Sequence, residues 1–187
     1  MDEGTPGPAA PVRRLVLLRH AKSAWPDGVP DHDRPLAPRG RRDAPAAGRL
    51  LRELDCVPDL VVCSTARRAR ETWELAAEEL GIPVPVPVRH DDRVYAAAPA
   101  ALTRVLREVD PALRTVALVG HNPGMEELAD ALALPPATGA ESAALARMVQ
   151  KFPTCAFPLL TLGRFTTWAT LAPATCHLTS FVVARSG

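Results

Sequence analysis

The sequence predicts an α/β protein, a three-layer α/β/α sandwich whose central sheet is mostly parallel with an antiparallel edge. Three observations predict it. The apolar runs Leu15-Val16-Leu17-Leu18, Leu60-Val61-Val62-Cys63 and Val116-Ala117-Leu118-Val119 have strand length and no polar alternation, as strands buried on both faces do. Between them lie stretches with apolar residues at helical spacing, the alternation expected of a sheet covered by helices. The last third turns to strand-like segments with no helices between them, which supplies the antiparallel edge.

In chain order, a strand over 13–19 ends abruptly in Arg19-His20. Residues 25–39, loaded with Pro, Asp and Gly, form a long loop over the strand end. A helix follows over 40–54, with Ala44, Ala47, Leu50, Leu51 and Leu54 on one face and Pro45 either in its first turn or kinking it. The second strand covers 59–63, and Ser64 or Thr65 then caps a helix running to about Leu80, ended by Gly81 and Pro83. Alternating Val and Pro over 83–88 read as an edge strand, because each proline removes a ladder donor. Pro99 opens a helix to about Val109, the strand over 115–120 ends in Gly120-His121-Asn122-Pro123-Gly124, and helices over 125–132 and 142–150 follow. Segments 156–162, 164–170 and 176–184 read as the closing strands.

With 187 residues the chain fits one domain over 13–187, behind a disordered tail over 1–12. That tail lacks the basic and apolar segments of a signal peptide, and no apolar run approaches the roughly 20 residues of a membrane span. The expectation is a cytoplasmic protein with no membrane partner. A net charge of +1, with 23% charged residues of both signs, gives no reason to expect nucleic acid as a partner, so any positive charge that matters is local. Cys56, Cys63, Cys155 and Cys176 show no metal-ligand spacing and read as buried free thiols.

Three strands therefore end in polar elbows: Arg19-His20, Ser64 with Arg67 or Arg68, and His121-Asn122. Carboxyl ends of parallel strands share one rim, so these residues converge in one pocket. Cations at the start of the helix after Ser64 oppose its macrodipole, which points to an anionic ligand rather than to local stability. Two imidazoles among arginines suit phosphoryl transfer without a metal. An arginine fork binds phosphate oxygens and spreads transition-state charge. A neutral imidazole flanked by cations attacks phosphorus, and the second donates to an equatorial oxygen. A carboxylic acid with a raised pKa would protonate the leaving oxygen. A metal site built from His20, His121 and nearby Asp residues is the rival chemistry, which two arginines in the same pocket disfavour by repelling a dication.

These motifs resemble the histidine phosphatase superfamily, with its phosphoglycerate mutase-like fold, and most closely its short bacterial SixA-type phosphohistidine phosphatase branch. Leu18-Arg19-His20-Ala21-Lys22-Ser23 is similar to the family's Arg-His signature, which implies His20 as the phosphorylated nucleophile and Arg19 as its clamp. Residues 64–72 (STARRARET) match the pattern that selects Arg68 over Arg67 as the second arginine, and Val119-Gly120-His121-Asn122-Pro123 matches the second-histidine motif. Asp33-Arg34-Pro35-Leu36 with Arg39-Gly40, the segment from Asp92 to Tyr95 and Phe152-Pro153-Thr154 extend the likeness over most of the chain. The resemblance implies Asp92 as the acid, with Asp91 and His90 adjacent, and no cofactor or metal.

Lys22, Ser23 and Asn122 are expected substrate contacts, whereas Arg67 and Arg70 are outer-rim charges and His32, His90 and His177 are surface or satisfied residues. Two positions depart from the family pattern: Ala37 replaces a hydroxyl residue, and Cys155 replaces a glycine. The implied function is a metal-independent phosphatase acting through phospho-His20 on a phosphohistidine protein or a small phosphate compound. Its alternatives are a phosphoglycerate mutase-like phosphotransferase, which needs a closing lid for which the stretch between Tyr95 and Pro99 has no room, or a non-catalytic phosphate-binding domain of the same fold.

Overall fold

A computed structural model describes residues 12–186; the expected tail lies outside them except for Val12. Its core is a six-stranded sheet of order β3-β2-β4-β1-β5-β6, built from β1 (Arg14–Arg19), β2 (Leu60–Ser64), β3 (Val88–Asp91), β4 (Thr115–Gly120), β5 (Ala156–Leu162) and β6 (Cys176–Val183). β1, β2, β3 and β4 pair in parallel, while β5 is antiparallel to β1 and to β6. The expected architecture is thus the observed one. β4 is buried along its whole length and β1 over Leu15 to Leu18, as strands covered on both faces must be.

Strand alternation sends side chains to two separate cores. Val16, Leu18, Val61, Cys63, Ala117 and Val119 pack under α1 (Pro38–Glu53) and α2 (Arg67–Ala77). Leu15, Leu17, Val62, Val116 and Leu118 pack on the other face, under α3 (Pro99–Arg107), α4 (Gly124–Leu132) and α5 (Gly139–Gln150). Close approach between layers depends on glycine at Gly48 of α1, where a Cβ would lie 1.9 Å from the Ala76 carbonyl oxygen of α2.

Several boundaries differ from expectation for local reasons. The Val-Pro stretch stays irregular, and the chain enters the sheet only at Val88, where consecutive donors become available. Segment 164–170 is a turn, not a strand: Thr166 N–H closes onto the Gly163 carbonyl, and the buried Trp168 anchors it by donating Nε1–H to the Leu113 carbonyl. Ser64 belongs to β2 instead of capping α2, whose N-cap residue is Ala66. α5 begins three residues early because Thr138 and Glu141 form a capping box. All four cysteines are buried and free, and no helix among the described residues is long and apolar enough to cross a membrane.

Candidate active site

The carboxyl ends of β1, β2 and β4 adjoin, as the parallel register requires: Arg19 faces Gly120 and Cys63 faces Val119. Two backbone donors fix the elbow after β1. His20 N–H donates to the Gly120 carbonyl at 3.0 Å, and the Cys155 N–H reaches the carbonyls of Arg19 and His20 at 3.1 and 3.2 Å. The second contact needs Cys155 at φ 60°, in the left-handed region that favours glycine. The departure noted at this position is therefore a real backbone demand met by a small, fully buried thiol.

His20 is buried, and its Nδ1 lies 2.7 Å from the Ala21 carbonyl. A carbonyl only accepts, so Nδ1 carries the proton and Nε2 keeps its lone pair. The Arg68 Nε–H points at that lone pair from 3.3 Å. Burial, with Arg68 and Arg19 adding to it against the Ala21 bond, pushes the His20 pKa down to about 4. His121 stacks beside it, with ring centroids 5.0 Å apart. Burial, then His20 and Arg68, push the His121 pKa down to about 3. Both imidazoles are neutral at pH 7. Ser64 Oγ accepts the Ala66 N–H and lies 2.8 Å from His121 Nε2, and the buried His121 Nδ1 has no protein partner.

The two arginines are held differently. Arg19 donates NH1 to the Phe152 carbonyl, its Nε is buried without a partner, and burial lowers its pKa against the opposing pull of Glu126. Arg68 gives NH2 to Asp31 Oδ2 at 2.9 Å and NH1 to the Asp31 carbonyl. Asp31 also accepts from Tyr95 Oη at 2.6 Å and from Arg34 NH1 at 2.7 Å. The Tyr95 bond, then Arg34 and Arg68, hold its carboxyl well below the usual carboxylate range. Arg34 is buried, bonded to Ser23 Oγ at 2.6 Å and to the Ala24 carbonyl, and covered by Trp25.

His20, Arg19, Arg68 and His121 therefore meet in one group. Ser23 is close but engaged with Arg34, Lys22 is exposed, and Asn122 donates to Glu126 Oε2 at 2.8 Å with its buried Oδ1 left unpartnered. Asp92 does not join them: it is exposed, heads a 3-10 turn and does not line the adjoining cavity. Neighbouring Asp91 is tied to Arg93 at 2.7 Å, and His90 is exposed. The carboxylate that reaches the arginine is Asp31.

A model of the histidine phosphatase superfamily (branch 1) matches residues 15–95. The uncharacterized protein Rv1276c of Mycobacterium tuberculosis (strain H37Rv) is 40% identical over 168 residues, covering 90% of this chain and all of that one. The chain belongs to the histidine phosphatase superfamily. Within it the fold is SixA-type. A structure assigned as phosphohistidine phosphatase SixA from Nakamurella multipartitia superposes with a TM-score of 0.80 at 31% identity, over 95% of this chain and 99% of that one. A second one, from Agrobacterium tumefaciens, gives 0.72 at 29% identity over 93% and 99%. Membership supports a phosphatase-type activity for this histidine phosphatase.

Sequence reasoning missed Asp31, Tyr95 and the tie of Ser64 to His121. For Tyr95 and Ser64 a signal was present, since each lies in a quoted motif segment; for Asp31 the only cue was its place three residues before Arg34.

Proposed function

We propose that the chain is a metal-independent phosphatase working through a covalent phosphohistidine on His20, with a phosphohistidine protein as the favoured substrate over small phosphate compounds. The His20 Nε2 lone pair attacks phosphorus, the bond from phosphorus to the leaving group breaks, and the leaving group departs with that electron pair. Water then attacks phosphorus, the P–Nε2 bond returns its electrons to the imidazole, and inorganic phosphate is released. Arg19, Arg68 and His121 supply the donors for the equatorial oxygens, the work a dication does elsewhere.

The observation that carries this reading is the Nδ1 bond of His20 to the Ala21 carbonyl, which leaves a neutral ring with its Nε2 lone pair turned to Arg68. The preference for phosphohistidine rests on Asp31. Its carboxyl is held ionised by Tyr95, Arg34 and Arg68 and supplies no proton, so leaving groups that need little protonation are favoured. Imidazole is such a group and an alkoxide is not. Similarity to proteins assigned as SixA phosphatases supports the same choice. On this reading Lys22 and Asn122 approach the substrate at the rim, and Asp92 is a surface residue.

The test is hydrolysis of phosphohistidine and p-nitrophenyl phosphate in EDTA, comparing wild type with His20→Ala. Turnover in EDTA that disappears with His20→Ala, with an acid-labile and base-stable phosphoenzyme trapped only in the wild type, is expected. Loss of activity to the chelator, or equal activity in the variant, would overturn the mechanism.

A further inference from the structure

We infer that the cavity beside His121 is a leaving-group subsite, and that Glu127 at its mouth selects neutral or cationic leaving groups against anionic ones. The inference rests on the phosphohistidine reading above and extends it to what leaves.

In-line displacement puts the leaving group on the side of phosphorus opposite His20 Nε2. Concave space beginning at Arg68 and His121 continues into a cavity of about 390 Å³. One wall is the backbone of Ala96, Ala97 and Ala98, and the other is Pro123 and the start of α4. The two walls meet where Gly124 abuts the Ala97 carbonyl; a Cβ there would lie 2.1 Å from that oxygen. These surfaces offer width and methyl groups but no charge. Charge enters at the ends.

At the inner end, Asp31 is paired with two arginines, which more than offset its charge. At the outer end, Glu127 is exposed and its carboxylate has no hydrogen bond or ion pair among the described residues, whereas its neighbour Glu126 is taken up by Asn122. Asp130 lies one turn beyond Glu127 on the same surface of α4, and no cation pairs with it there. A leaving group in this cavity therefore meets an uncompensated carboxylate. An imidazole or amine is tolerated or attracted, and a carboxylated group is repelled; at an exposed rim that repulsion is moderate and salt-dependent. The His121 ring lines the inner end, so the cavity begins beside the imidazole group of the site.

The test compares kcat/KM for two aryl phosphates of like shape, 4-(aminomethyl)phenyl phosphate and 4-carboxyphenyl phosphate, in wild type, Glu127→Gln and Glu127→Lys. The wild type should prefer the cationic ester by about tenfold at low salt. Glu127→Gln should shrink that ratio at least threefold, Glu127→Lys should shrink it at least tenfold, and 0.5 M NaCl should weaken both effects. A structural defect would slow both esters alike and leave the ratio unmoved. An unchanged ratio in Glu127→Lys would overturn the inference. If the wild type turned over neither ester nor phosphohistidine, the phosphatase reading would fall instead. The selectivity is then read by calorimetric titration of the matching benzylphosphonates, where equal affinities in wild type and Glu127→Lys would overturn it.

Discussion

The two arginines of the site mark two differently built walls. Arg68 is wrapped by a carboxylate: Asp31, itself held by Arg34 and Tyr95, takes both ends of its guanidinium edge. Arg19 is held only by the neutral Phe152 carbonyl, with its Nε left over. A phosphate arriving at Arg68 must share it with an existing anion, and that charge is already compensated. At Arg19 it meets a half-buried cation whose opposing charge, Glu126, is engaged by Asn122. One wall is orientation and the other is potential.

The largest effect should come from breaking each wall in turn. Arg19→Ala and Arg68→Ala should each lower kcat/KM by about 10²–10³-fold, the usual loss for one transition-state donor. They should differ in rescue. Removing Arg68 leaves the Asp31 carboxylate facing the phosphate, so adding Asp31→Asn should recover about tenfold in that background and nothing in the Arg19→Ala background. Equal effects of Asp31→Asn in the two would erase the distinction.

Next in size is the titration of His20. Both walls add cations around a buried ring, so its 15N NMR titration should centre near pH 4 instead of 6.5, with turnover falling as pH drops through that value. Because protonation is harder in the folded state, the same shift makes folding stability decline as pH falls from 6.5 toward 4. A midpoint near 6.5 would mean that the ring is more solvated than its burial implies.

Smaller again is the stability carried by Asp31. Its depressed pKa gives a contribution that is complete above the ordinary value of 3.8 and is lost as pH falls below it toward the folded-state value. Asp31→Asn should lower the urea midpoint at pH 7, and the gap to wild type should close below pH 3. Smallest is Ala37→Ser. Ala37 is the N-cap of α1 with no side-chain acceptor, and a hydroxyl there should add about 1 kcal/mol and raise the melting temperature by a few degrees.

That last position shows what the sequence could say. Ala37 and Cys155 stood out as departures, and each marks a site with a specific local demand, a missing cap and a left-handed backbone. The strands ending in Arg19-His20, Ser64 and Gly120-His121 were legible because burial on both faces leaves an unbroken apolar run. Asp31 was not. Its partners Arg68 and Tyr95 are 37 and 64 residues away, and a loop rich in Pro, Asp and Gly looks the same whether its acids are solvated or locked to an arginine. Asp92 attracted attention as an acid in a matching segment, yet the turn it begins sends Tyr95 to the site and leaves Asp92 in solvent.

Trp25 lies over the Arg34 guanidinium, 3.1 Å from ring centroid to the central carbon, and is 73% exposed, while Trp73 and Trp168 are buried. The protein thus carries one water-facing indole resting on the cation that anchors Asp31. Its emission should form the red-shifted, iodide-accessible part of the fluorescence, and an oxyanion that loosens Asp31 from Arg68 should register there as a change in intensity. Oxyanion binding at this site should then be readable without any added label.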